Sequence, residues 1–376
     1  MAHYLDRFKV VIREVVTADI MRGLAGAGAD HVQRSIGSFA CSLLLAALLL
    51  SSLIASPVCA ADAVQRVTDI TLPGPTGRFD YVALDAVHDR LLINQMDAGR
   101  VLVFDLHSRK LVGQVAGLQS PTGITVAPQL GLAFVSDPGG TLDKVWGDGT
   151  VDAIDTATLR LVRRFAAAGF PDGSAWVPGI ARLFVSNERG GKETVIGGTP
   201  LRVEGNIHLG GEAGNSAYDA SADRVLVNVQ ARNQIVAIDP RTLAITRRVD
   251  LPATCAHNHG LLVDDADRLA FVACDGNARL LSLRLPNLTP VDLHRLGRDP
   301  DVLALDAARH RLWVASESGV VSVFAVTPDG LRTLWRGSVG PDAHSLAIDP
   351  ATGWAWFPLE DEGGQPMLRA MQFTSG

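Results

Sequence analysis

Basic residues are the minority charge in this chain of 376 residues, with 34 Lys and Arg against 40 Asp and Glu. Proteins that grip nucleic acid do so mainly by neutralising phosphates, so the acidic balance argues against that role. Aromatic residues amount to 6%, which counts against the aromatic-lined basic groove that single-stranded DNA binding needs. Common catalytic signatures are missing too. There is no Gly-x-Ser-x-Gly elbow, no His-Glu-x-x-His, no Cys-x-x-Cys-His, and no Gly-x-Gly-x-x-Gly after a strand. Gly190-Gly-Lys192-Glu-Thr lacks the P-loop spacing and reads as a hairpin turn. Past residue 61 no long amphipathic helical pattern survives, which excludes an α/β fold. Cysteine is scarce: of four, Cys41 and Cys59 lie in the first sixty residues, leaving Cys255 and Cys274.

Those first sixty residues differ from the rest. Phe39 to Ala55 is a run of seventeen uncharged, mostly apolar residues preceded by Arg34. Ser56-Pro57-Val58-Cys59-Ala60 follows, and its small residues suit a signal-peptidase cut before Ala61. An uncleaved anchor is the alternative, because seventeen residues is near the lower limit of a membrane span. Proline and the small residues favour cleavage, with membrane contact only through the leader. Met1 to Ile20 is long for a signal n-region and carries both charge signs; a start at Met21 would give a conventional leader. The expected division is a leader over 1–60 and one domain over 61–376, in a periplasmic or secreted protein. Without the leader, 29 basic and 36 acidic residues leave a net charge of −7. In an oxidising compartment Cys255 and Cys274 most simply pair. Closing that loop of about twenty residues would contribute on the order of 3 kcal/mol.

What is abundant is repetition. Arg78 to Val115 holds four short β-rich runs separated by polar or Gly-containing turns, a four-stranded meander that must stack on copies of itself. An inner run ends at each of Asp85, Pro128, Pro178, Asp219, Asp264, Asp306 and Asp349, at spacings of 43, 50, 41, 45, 42 and 43 residues. A second run follows each anchor, as in Leu91-Leu-Ile-Asn94 or Leu183-Phe-Val-Ser-Asn187. Seven units with this period predict an all-β, single seven-bladed β-propeller with four-stranded antiparallel blades. Val64 to Leu72 reads as a detached outer strand that completes the last blade beside Met367 to Phe373 and closes the ring.

Gly77-Arg-Phe-Asp-Tyr-Val-Ala-Leu-Asp85, Arg182-Leu-Phe-Val-Ser-Asn187 and Ile238-Asp-Pro-Arg-Thr-Leu243 carry a resemblance to the YVTN-repeat, YncE-like family of exported seven-bladed propellers. The name-giving tetrad is degenerate here, closest at Phe184-Val-Ser-Asn187. The resemblance implies the architecture over all of 61–376. It implies ligand or nucleic-acid binding for some members and surface roles for others, and related propellers include subunits of quinone-cofactor amine dehydrogenases. Fold alone does not settle function.

Ligand sites in propellers usually lie where the loops entering the inner strands converge at the channel mouth. Five residues back from each anchor stand Asp80, Gly123, Gly173, Gly214, His259, Asp301 and His344. Asp80, His259, Asp301 and His344 fall on consecutive blades and are the candidate ligand or metal residues. Two imidazoles and two carboxylates would suit a divalent metal such as Zn²⁺ or Cu²⁺, or a general acid/base pair. Equally, polar residues at a wet channel mouth bond neighbouring strands or ordered water. His257 is a secondary candidate through Cys255-Ala-His257-Asn-His259, a soft-metal spacing that a Cys255–Cys274 disulfide would disable. The blade-two insert over 137–149 brings Asp137, Asp143 and Asp148, which would suit Ca²⁺ but lack EF-hand spacing. It reads rather as a long hairpin with Trp146 exposed or folded over one face, a loop suited to contact a partner or ligand. Trp176, Trp313, Trp354, Trp356 and Trp335 are assigned to packing. The resulting expectation is a monomeric binding protein for a small molecule or protein at one face, with no cofactor assigned. The alternative is an enzyme: a lactonase-like metal hydrolase, or a quinone-linked dehydrogenase subunit.

Overall fold

Each blade begins with a short strand flanked by a second strand that is apolar on both faces. Leu91, Leu92 and Ile93, in the second strand Arg90–Gln95, are all buried, whereas the outermost strand Lys110–Ala116 alternates exposed and covered residues. This gradient from two-sided burial to alternation is what a sheet standing edge-on to a central channel requires. The computed structural model describes residues 63–375, and the leader reading over 1–60 lies outside them. Among the described residues there are seven four-stranded sheets, every neighbouring pair antiparallel, as the period predicts. Helix among the described residues is confined to 3-10 turns and the single turn Asp143–Trp146 in the blade-two insert.

Seven hydrophobic clusters fill the seven gaps between blades. One joins Phe134 and Ala153 of blade two to Leu183 and Val185 of blade three, and another joins Leu91 and Phe104 of blade one to Trp356 of blade seven. Phe104 meets Trp356 with ring centroids 5.1 Å apart, and Trp313 meets Phe357 at 6.3 Å across the blade six–seven gap. Trp313 and Trp356 are therefore core, as expected. Trp176 and Trp354 are only half-buried: Trp176 donates its Nε1–H to Gln129 Oε1 (3.0 Å), and Trp354 carries the Arg109 guanidinium on its ring.

Ring closure uses the N-terminal strand, as predicted. Ala63–Thr71 pairs antiparallel with Met367–Thr374, so the last blade takes its outer strand from the start of the described chain. Arg369 pins this joint, donating from Nε and Nη2 to the two Asp69 oxygens at 2.8 Å each, and from Nη1 to Val339 O at 2.6 Å.

Cys255 and Cys274 form the expected disulfide, so the soft-metal reading of the Cys255–His259 segment falls away for want of a thiolate. The Ca²⁺ reading fails as well. Asp137 is buried and accepts from the backbone N–H groups of Gln119, Ser120 and Gly139. It anchors the insert, and among the described residues it forms no ligand group with Asp143 or Asp148. The Trp146 side chain lies outside the described residues.

The closure joint sets a first prediction. Asp69→Ala leaves the almost fully covered Arg369 guanidinium with only Val339 O and, at 3.4 Å, Glu362, and should cost about 2 kcal/mol. Arg66→Ala removes only the exposed partner of the same carboxylate and should cost less than about 0.5 kcal/mol. Thermal unfolding of the two variants compares them directly, and equal midpoints would contradict the closure role.

Candidate functional site

The register of the inner strands decides which side chains reach the channel. In blades three to six the ladder skips, leaving two inner-strand residues opposite one partner residue. The skipped residues are Asp172 and Gly173, Gly214 and Asn215, His259 and Gly260, and Asp301 and Val302. Such bulges re-aim side chains and are frequent beside functional sites. Blades one and two hold the same geometry, with Asp80 N–H donating to Asn94 O and Thr122 N–H to Ser136 O. The first ring of channel residues is thus Asp80, Thr122, Asp172, Gly214, His259, Asp301 and His344.

This corrects the glycine arc expected over blades two to four. The inner strands of those blades end at Ala127, Val177 and Asp219, so counting from Pro128 and Pro178 ran one residue late in blades two and three. Gly214 alone keeps its place. Asp172 enters the ring where Gly173 was expected, and Thr122 where Gly123 was expected.

The structure brings all four predicted site residues together. Asp80, Asp301 and His344 offer ligand atoms within 4.8 Å of one another, and all three are buried. His259 joins them through its Nε2, 3.4 Å from Asp301 Oδ1. Asp172, Glu188 and His259 form a second group of the same tightness. His257 does not join either group. Its Nδ1 lies 2.6 Å from Asp275 Oδ1, a pairing that holds it at the rim.

Above these groups opens a cavity of about 430 Å³ lined by eight carboxylates: Asp80, Asp172, Glu188, Glu212, Asp275, Asp299, Asp301 and Glu317. Glu188, Gln230, Asp275 and Glu317 share one origin, each being the residue immediately after a blade's second strand. Reading one residue past runs such as Leu183-Phe-Val-Ser-Asn187 would have found them. Arg78 crosses the rim, pairing with Glu317 (Nη2–Oε1 2.7 Å) and standing 3.9 Å from Asp80.

The floor is a hydrogen bond across the channel. Tyr81 of blade one accepts from Asn215 Nδ2 of blade four at 2.6 Å. Tyr81 lines both the mouth and a second cavity of about 170 Å³ on its other side, which Gly173, Asn215 and Ser216 also line.

Crowding of carboxylates sets the protonation states. Burial and the neighbouring Asp172 hold the Asp80 carboxyl well above its ordinary range. Burial, with Asp301 nearby, lifts Asp172 to about 6, although His259 works against it. Burial and Asp172 lift Glu188 to about 7. For His259 burial opposes the charged form, but Asp301, Asp172 and Glu188 together outweigh it and raise the imidazole to about 10. Burial likewise opposes ionisation of Asp301, yet His259 lowers its carboxyl below the usual value.

No family model matches the chain, and no curated protein is similar in sequence. Solved structures are similar in fold. A chain of hydrazine synthase from Kuenenia stuttgartiensis aligns at 13% identity, covering 81% of this chain and 96% of that one, with a TM-score of 0.63. A chain of the mitotic checkpoint complex aligns at 11% identity over 93% of this chain and 99% of its own, with a TM-score of 0.67. The RRP9 WD40 repeats align at 8% identity over 82% and 100%, with a TM-score of 0.66. At these identities the likeness shows the propeller fold alone.

The protonation pattern predicts how stability varies with pH in chelator-treated protein. Asp172 and Glu188 keep protons in the folded state that the unfolded chain releases from about 4 upward, so their contribution falls as pH rises to about 7. His259 stabilises fully below 6.5 and loses its contribution as pH rises through about 10. Asp301 acts oppositely, but only as pH falls below its ordinary value of 3.8. The thermal midpoint should therefore peak at about pH 4 and decline toward about pH 10. His259→Gln should flatten the limb above 6.5; a midpoint that climbs between pH 5 and 9 would contradict these assignments.

Proposed function

We propose that this chain is an exported binding protein that holds a divalent cation at its channel mouth and takes a small, oxygen-bearing ligand above it. The observation that carries the reading is the state of His344. Its Nδ1–H donates to Asp342 O at 2.9 Å, which fixes the tautomer and leaves the lone pair on Nε2. That nitrogen is buried and has no hydrogen-bond partner, in a side chain 1% exposed beside Asp80 and Asp301. Asp301 Oδ1 is also buried at the mouth, where it is paired with His259 Nε2 at 3.4 Å. Buried polar atoms are rarely left unsatisfied, and a cation would give the His344 nitrogen its partner.

The donor set narrows the ion. Carboxylate oxygens with imidazole nitrogen suit Zn²⁺ or Mn²⁺, and a backbone acceptor behind the ligating histidine is the usual outer-shell support. The cavity volume suits a small molecule, and its carboxylate lining repels polyanions such as nucleic acid. The Cys255–Cys274 disulfide fits residence in an oxidising compartment.

A second reading, metal-assisted hydrolysis, draws on one observation. Asp172 and Glu188 line the same cavity as the residues of the proposed ion, where a carboxylate could serve as general base.

Chelator-stripped protein should take up Zn²⁺ or Mn²⁺ in equilibrium dialysis, and the bound ion should raise the thermal midpoint. His344→Ala and Asp301→Asn should each weaken binding by about 100-fold or more, while His257→Ala leaves it within about threefold. Failure of both ions to bind the folded protein would overturn the reading.

A further inference from the structure

The mouth contains a second histidine arranged like the first. His259 Nδ1 lies 3.0 Å from Gln230 Oε1, an acceptor that turns Nε2 toward Asp301. Asp172 and Glu188 complete its group, with all three ligand atoms within 4.8 Å. The two groups are not independent, because Asp301 belongs to the first and stands 3.4 Å from the histidine of the second. Its buried Oδ1 thus faces the His259 side of the mouth. Resting on the reading that Asp80, Asp301 and His344 hold one divalent cation, we infer that Asp172, Glu188 and His259 hold a second, with the Asp301 carboxylate bridging the pair.

Charge and shape agree with two ions. Asp80, Asp301, Asp172 and Glu188 carry four negative charges when ionised, which two divalent cations neutralise with both imidazoles uncharged. With Nδ1–H held by Gln230 Oε1, Nε2 is the nitrogen left to face the ion. Gly214 lets the inner strand of blade four pack closely against that of blade five, which carries His259: a Cβ there would lie 2.8 Å from His259 O and 3.0 Å from His259 Cα. A bridging carboxylate holds two ions about 3.5–4 Å apart, the separation at which paired ions act on one oxygen-bearing group.

Mn²⁺ added to chelator-stripped protein provides the test, with binding followed by calorimetry and by electron paramagnetic resonance. Two Mn²⁺ should bind per chain, and the six-line signal of isolated ions should give way to a spin-coupled multiline spectrum at the second equivalent. His259→Ala and, as a milder change, Glu188→Gln should each bind one ion with an uncoupled signal, at circular dichroism unchanged from the parent. One ion in the parent protein, unaltered by His259→Ala, would overturn the second subsite and leave the first standing. Two ions without spin coupling would overturn the bridge through Asp301, and no bound ion would overturn both readings.

Discussion

Apolar packing between neighbouring blades is the constraint on which everything else rests. No blade buries both of its faces by itself; Phe134 is covered only because Leu183 and Val185 stand on the next sheet, and Trp356 because Phe104 does. Seven such gaps form a closed loop of contacts, so an unclosed ring would expose two apolar faces at once. That is why the strand Ala63–Thr71 must return to Met367–Thr374, and why the joint is held by the buried Arg369 as well as by the ladder. The same closure brings seven inner strands to one axis. Residues more than 260 positions apart in the chain, such as Asp80 and His344, become neighbours for no other reason.

Much of this architecture is legible in the sequence, because the signal repeats. Runs such as Leu183-Phe-Val-Ser-Asn187 recur at a steady period, and strand after strand lies where alternation and turn residues put it. The site is legible in part. Asp80, His259, Asp301 and His344 follow from counting back from aspartates that end the inner strands. Asp172 was hidden because blade three ends its inner strand at Val177, one residue before the proline that mimics the anchor. Glu188 and Glu317 are obscured for a different reason. They sit one residue past the second-strand runs, a place the repeat does mark, but the letters alone do not tell a carboxylate at the channel rim from one in a solvated turn. Burial is likewise invisible in a string of letters, so the unpartnered nitrogen of His344 has no sequence signal.

Electrostatically the mouth is an expensive arrangement. Carboxylates are gathered where water is partly excluded, and the protein tolerates them by protonating some and pairing others. Asp301 remains ionised beside His259, while Asp80 is driven toward its neutral form. Such crowding opposes folding in the absence of a counter-charge, so its presence points to a positively charged occupant.

Below the mouth, the hydrogen bond between Tyr81 and Asn215 has a kinetic consequence. It stands between an upper and a lower cavity, and Tyr81 lines both. While that bond is made, traffic in the upper cavity is ordered by depth. A species against Asp80 and His344 would then arrive before anything seated at the rim near Arg78 and leave after it. Exchange of the deep species would slow as the outer site fills, a trapping behaviour that needs no contact between the two.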